Sequence, residues 1–143
     1  MKPLPRTMVL AFVGLAIGAN NASADSFVVL VNNSNPITSL SRTDIKRAVT
    51  GGIKQWESGA AIQVGIIPGN APETQYLASL IDMSPSAFLS RIQEQVFKGE
   101  MRRPALLHSS TECAAFASSN PSSICVATSA QGIPPGAHVV TVE

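Results

Sequence analysis

The sequence predicts an α/β fold, an open, mostly parallel sheet flanked by helices, and two observations point there. Four short runs of strand character lie along residues 26–142, separated mostly by helical patterns. The first run, Phe27-Val28-Val29-Leu30-Val31, is continuously apolar and rich in β-branched residues, which suits a strand buried on both faces.

That first strand covers residues 26–32. After Asn35-Pro36 a helix runs over Arg42–Thr50, with Ser41 as its cap, Asp44 as the acid of a capping box and Leu40 placed to staple onto Ile45. Gly51 and Gly52 supply the left-handed stop, and Trp56 follows. A turn at Glu57-Ser58-Gly59 leads to a second buried strand at residues 61–67, which Pro68-Gly69-Asn70 ends. The second helix starts at Pro72, a residue favoured at the first helical position, and lines up Tyr76, Leu77, Leu80 and Ile81. Ser84-Pro85 opens the third helix, whose stripe of Phe88, Leu89, Ile92, Val96 and Phe97 is the longest in the chain. Lys98-Gly99 closes it. Residues 100–109 read as basic and irregular, around Met101-Arg102-Arg103-Pro104. A short helix at residues 112–118, a third strand at 124–127 and a last one at 138–142 complete the pattern.

The N-terminus bears on location. Lys2 and Arg6 precede an apolar run at residues 8–19, and Ala22-Ser23-Ala24 has the form of an export-signal cleavage site. The run is shorter than the roughly 20 residues a membrane span needs, so residues 1–24 read as a cleaved signal peptide rather than an anchor. The product is periplasmic or otherwise exported. Removing 24 of the 143 residues leaves 119, enough for one domain over residues 25–143 and too few for two. Lys2 and Arg6 leave with the signal, so eight basic residues face nine acidic ones. Such a near-neutral chain has no electrostatic reason to bind nucleic acid.

Cys113 and Cys125 are the only cysteines. An oxidising compartment favours their pairing, and closing a loop of this length constrains the unfolded chain by roughly 2–3 kcal/mol. A metal site needs more ligands than these two and the isolated His108 and His138 offer. A cysteine nucleophile needs a base, and the sequence places no orienting carboxylate beside His108. Glu94 and Glu100 are too far apart to be assigned one acid–base site, and no cofactor motif is present, so an enzyme has little support.

The segment from Leu40 to Trp56 resembles the "L-s-x-x-x-l-x-x-I-F-x-G-k-i-x-x-W" stretch of the PstS-like family of periplasmic phosphate-binding proteins, with Ala48-Val49 in place of Ile-Phe. The resemblance extends over most of residues 26–142. It implies one lobe of a type 2 periplasmic-binding-protein fold, because a two-lobed binding protein closes two units of about this size around its solute. Where the family has "G-S-G-T-x-x-x-F" at a helix start, this chain has Gly69-Asn70-Ala71-Pro72-Glu73-Thr74-Gln75-Tyr76. The exchange deletes two hydroxyls, proline removes one N–H, and Glu73 brings a negative charge to the first turn. Asn120-Pro121-Ser122-Ser123-Ile124-Cys125-Val126 resembles the "t-P-g-a-I-G-Y" entry to a returning strand, with Cys125 in place of the glycine. That departure fits a disulfide back to Cys113 on the preceding helix.

The ligand-binding residues that follow are Gly69, Asn70, Ala71 and Thr74, together with Thr128 and Ser129. Trp56 reads as a plug at the edge of the core rather than a ligand stack, Arg102 and Arg103 as a solvated pair, and Lys46 and Arg47 as a solvent-facing helix end. The expected function is binding, either of a small oxyanion such as phosphate, held weakly, or of an envelope protein on the face a second lobe would cover. The alternative is an accessory domain that has lost its ligand. Met101-Arg102-Arg103 and the loop from Gln131 to Pro134 are the expected contributors to an interaction surface.

Overall fold

The computed structural model describes residues 26–143, so the signal peptide read over residues 1–24 lies outside the described residues. Within them are six strands: β1 (Phe27–Asn32), β2 (Ser39–Leu40), β3 (Gln63–Ile66), β4 (Ala105–Leu106), β5 (Ser123–Thr128) and β6 (Ala137–Val142). Four helices accompany them: α1 (Arg42–Thr50), α2 (Pro72–Leu80), α3 (Pro85–Phe97) and α4 (Ser110–Ser119). The strands form one sheet in the order β2-β6-β1-β5-β3-β4. β1 runs antiparallel to both of its neighbours, while the pairs β2–β6, β3–β5 and β3–β4 are parallel. Five described strands therefore point one way and β1 the other. The sheet is mixed but mostly parallel.

The continuous apolar run of β1 serves both faces because successive side chains alternate across a strand. Val29 and Val31 join Ile45, Val49, Phe88 and Ile92 under α1, α2 and α3. Leu30 packs the other way, against Cys113, Ala114 and Ala117 of α4. The four-strand expectation is corrected by β2 and β4, two-residue strands at the ends of the sheet that are too short to leave a period in the sequence.

The first helix follows its local signals. Ser41 Oγ accepts from the Asp44 amide at 3.0 Å, and Gly51 takes φ +83° as its N–H turns back to the Arg47 carbonyl. A Cβ on Gly51 would also stand 3.0 Å from the Met101 Cβ, so both the turn and the packing call for glycine there. Trp56 is buried in the core and donates its indole N–H to the Ser122 carbonyl at 2.9 Å.

Two expectations change. Phe97, assigned to the apolar stripe of the third helix, is 93% exposed at the end of α3, while Phe88 and Ile92 carry the burial. The fourth helix starts at Ser110 rather than at 112. Its cap is Ser109, whose Oγ accepts from the Glu112 amide at 3.2 Å, and Glu112 reaches back to the His108 amide at 3.0 Å. Cys113 of α4 is joined to Cys125 of β5 by a disulfide, with the Cα atoms 5.9 Å apart. No described helix is long and apolar enough to cross a membrane.

Candidate functional site

β3, β4 and β5 are parallel, so the segments leaving their carboxyl ends lie on one side of the sheet. From β3 the chain passes through α2 and α3 on one face and returns as β4. From β4 it passes through α4 on the opposite face and returns as β5, on the far side of β3. The reversal of direction sends the two connections to opposite faces, because each crossover is right-handed. In open α/β sheets ligands bind where such connections diverge. The N-termini of α2 and α4 lie at this end of the sheet, joined through Glu73 and Ser110, and their positive dipole ends favour an anion there.

The residues expected at the site lie on the segments that leave β3 and β5 at this end of the sheet. Gly69, with φ +83°, turns the chain out of β3, and Asn70 follows on the exposed loop, its carbonyl accepting from Gln75 Nε2 at 2.8 Å. Ala71 is the N-cap of α2 and offers no side-chain oxygen, while Pro72 occupies the first helical position. Thr74 is turned inward: it is 2% exposed, and its hydroxyl donates to the Ile67 carbonyl. Thr128 ends β5. Ser129 binds the Ser26 carbonyl through its amide at 2.9 Å and its hydroxyl at 3.3 Å, fastening the start of β1 to the same end of the sheet.

The residue that joins the two halves is one sequence reasoning missed. Ser110, buried at the first position of α4, donates its hydroxyl to Glu73 Oε2 in the first turn of α2 and accepts the Thr128 amide at 2.9 Å. A carboxylate from the chain itself thus lies between the two helix starts, against the end of β5. The signal that could have found Ser110 is Ser109 followed three residues later by Glu112, a capping pattern that moves the helix start upstream of residue 112.

Other residues weighed from sequence lie elsewhere. Glu94 pairs with Lys98 at 3.5 Å and Glu100 with Lys54 at 3.7 Å, so the two carboxylates share no site. Arg47 sits 3.9 Å from Asp44 at an exposed position, and Lys46 is exposed beside it. His108 does have a carboxylate beside it, contrary to the sequence reading, with Glu112 Oε1 3.3 Å from its Nδ1. The pair nonetheless has no thiol to activate, since both cysteines are spent in the disulfide. His138 is not isolated, and lies 2.9 Å from Asn33 Oδ1 and 2.7 Å from the Ile37 carbonyl.

The sequence matches no protein-family model, and comparison with curated proteins finds no relative. The fold does have solved counterparts. An ABC-type phosphate transport receptor from Vibrio cholerae aligns with a TM-score of 0.63 at 16% identity, over 82% of this chain and 47% of that one. PstS from Borrelia burgdorferi gives 0.63 at 16%, over 83% and 47%. A Clostridium perfringens chain whose crystal structure holds bound phosphate gives 0.64 at 15%, over 82% and 45%. The chain spans about half the length of these structures. Its fold is that of one lobe of a PstS-like phosphate-binding protein.

Proposed function

We propose that the chain is an exported, single-lobe PstS-like binding domain, residues 25–143 after loss of a signal peptide at 1–24, and that it serves as an interaction domain of the cell envelope. It is read as a binding module, not an enzyme, and as one that holds phosphate or a related oxyanion weakly or not at all. One observation carries the reading: the Glu73 carboxylate, held by the Ser110 hydroxyl, lies between the two helix starts that would attract an anion. A second anion brought to Gly69, Asn70 and Ala71 meets a fixed negative charge. It finds no hydroxyl on Ala71, and the hydroxyl of Thr74 is already given to Ile67.

Calorimetric titration with phosphate and sulfate, alongside amide spectra of the folded protein, tests this. The expected result is little heat and no shift at Ser110, Thr128 or Ser129. A dissociation constant in the low micromolar range or tighter, with shifts at those amides, overturns the reading and makes the domain a solute carrier.

A further inference from the structure

We propose that the open edge at β4, with the groove beside it, docks an extended segment of a partner protein that carries alternating apolar side chains and a carboxylate. The inference rests on the reading of the chain as an interaction domain. Between α3 and the β3–β4 edge lies an apolar groove of about 430 Å³, walled by Leu89, Ile92, Val96 and Phe97 on one side and by Ile66 and Leu106 on the other. Four large hydrophobic residues of the described chain are markedly exposed, and two of them, Phe97 at 93% and Leu106 at 60%, border this one groove. Isolated exposed apolar residues are ordinary, but two on one concavity mark a contact surface.

The backbone says what shape the occupant has. Among the described residues β4 is the last strand of the sheet and pairs only with β3. The Leu107 amide donates inward to the Ile66 carbonyl at 2.9 Å, so the alternation of the strand turns the N–H and C=O of Leu106 outward. An edge with an outward donor and acceptor is a template for an added strand, whose main chain supplies the hydrogen bonds while every second side chain enters the groove.

Charge says what that strand carries. Arg103 lines the groove and Arg102 precedes it, both exposed. Among the described residues neither makes an ion pair, while Glu94 and Glu100 pair with Lys98 and Lys54. The uncompensated charge at the groove is positive and fits a carboxylate. It does not fit this chain's own leader, whose charges in residues 1–24 are Lys2 and Arg6. The loop at Gly132-Ile133-Pro134, expected from sequence to share in one surface with Arg102 and Arg103, borders a separate groove with Thr111, Ala114 and Ala115 of α4. It is not part of this proposal.

The probe is a capped six-residue peptide of alternating valine and threonine with a glutamate at one end, compared with its lysine-ended and backbone N-methylated forms. With the full described domain, the glutamate peptide is expected to shift the Leu106 amide and slow its hydrogen exchange, with smaller shifts at Phe97 and Val96. The lysine peptide is expected to bind about fivefold more weakly, the scale of one partly exposed charge pair, and Arg103→Glu to reverse that order. N-methylation of the peptide amides that face β4 is expected to abolish the Leu106 protection without any change in the protein itself. Equal affinity of the two charged peptides, shifts centred away from Leu106, or an unaffected N-methylated peptide would each overturn the proposal. So would protection of Leu106 that grows with protein concentration alone, which makes the occupant a second copy. Phosphate is read at Thr128 and Ser129 and the peptide at Leu106, so either reading can fail without the other.

Discussion

Among the described residues, three helices on one face of the sheet bury Phe88, Ile45, Val49 and Trp56, whereas on the other face lies α4, in contact through Cys113, Ala114, Ala117 and Phe116. The first face holds by volume, since large side chains remove much apolar area from water. The second is a smaller cluster, with Leu30, Ile67 and Phe116 as its large side chains. Its small residues instead let the helix lie close to the strands, and a covalent bond to β5 secures it. The candidate site falls where the two constructions meet, with Glu73 supplied by the larger cluster's face and Ser110 by the smaller one's. A site between two differently held layers is sensitive to each of them.

The comparison predicts that the faces break differently. Phe88 is wholly buried, and Phe88→Ala is expected to cost about 3–5 kcal/mol in a urea unfolding series, the largest single effect. A loss below 1 kcal/mol would mean that the three-helix face is not the main store of stability. On the other face, reducing the disulfide or replacing both cysteines with serine is expected to cost about 3 kcal/mol, as the entropy of a loop with a separation of 12 residues implies. Thiol labelling of the unreduced protein, folded and then denatured, should find nothing. Stoichiometric labelling of both cysteines would show that α4 is held by packing alone.

Ser110→Ala probes the seam itself. It leaves the Thr128 amide and the Glu73 carboxylate without this hydroxyl, and the expected cost is about 1–3 kcal/mol. Amide exchange should quicken at Thr128 first, while the Cys113–Cys125 region and the Phe88 core stay protected. Uniform loss of protection would mean that the two faces form one cooperative unit with no weaker seam between them.

What could be read in the sequence was what is specified locally. The limits of α1 follow from Ser41, Asp44 and Gly51, all within ten residues, and the start of α3 from Ser84-Pro85. The core role of Trp56 and the Cys113–Cys125 pairing were also legible, one from its place after a glycine turn and the other from there being no third cysteine. The edges were not. β2 and β4 are strands only because β6 and β3 lie beside them, and two residues cannot carry a period. The antiparallel sense of β1 and the groove beside Phe97 are likewise tertiary facts. Of the candidate site, the loops after β3 and β5 could be named from sequence, but the Glu73–Ser110 contact between them spans 37 residues and depends on a helix start displaced by two positions from the expected one.

The smallest effect tests the functional claim most directly. Glu73 lies in the first turn of α2, where a negative charge favours the helix by about 0.3–1 kcal/mol, so Glu73→Gln should lower stability by that amount or less. Its consequence for anions has the opposite sign. With the charge gone but the shape and one acceptor oxygen retained, the starts of α2 and α4 keep only the Glu112 carboxylate beside them, and phosphate should bind more tightly than to the parent, by about 0.3–1 kcal/mol in binding free energy. Because a ligand that binds only the folded state raises its stability, added phosphate should lift the unfolding temperature of Glu73→Gln more than that of the parent. Sodium chloride at matched ionic strength separates this from general screening. If phosphate stabilises both proteins equally, Glu73 does not occupy the anion position, and the weak-binding reading loses the observation that carries it.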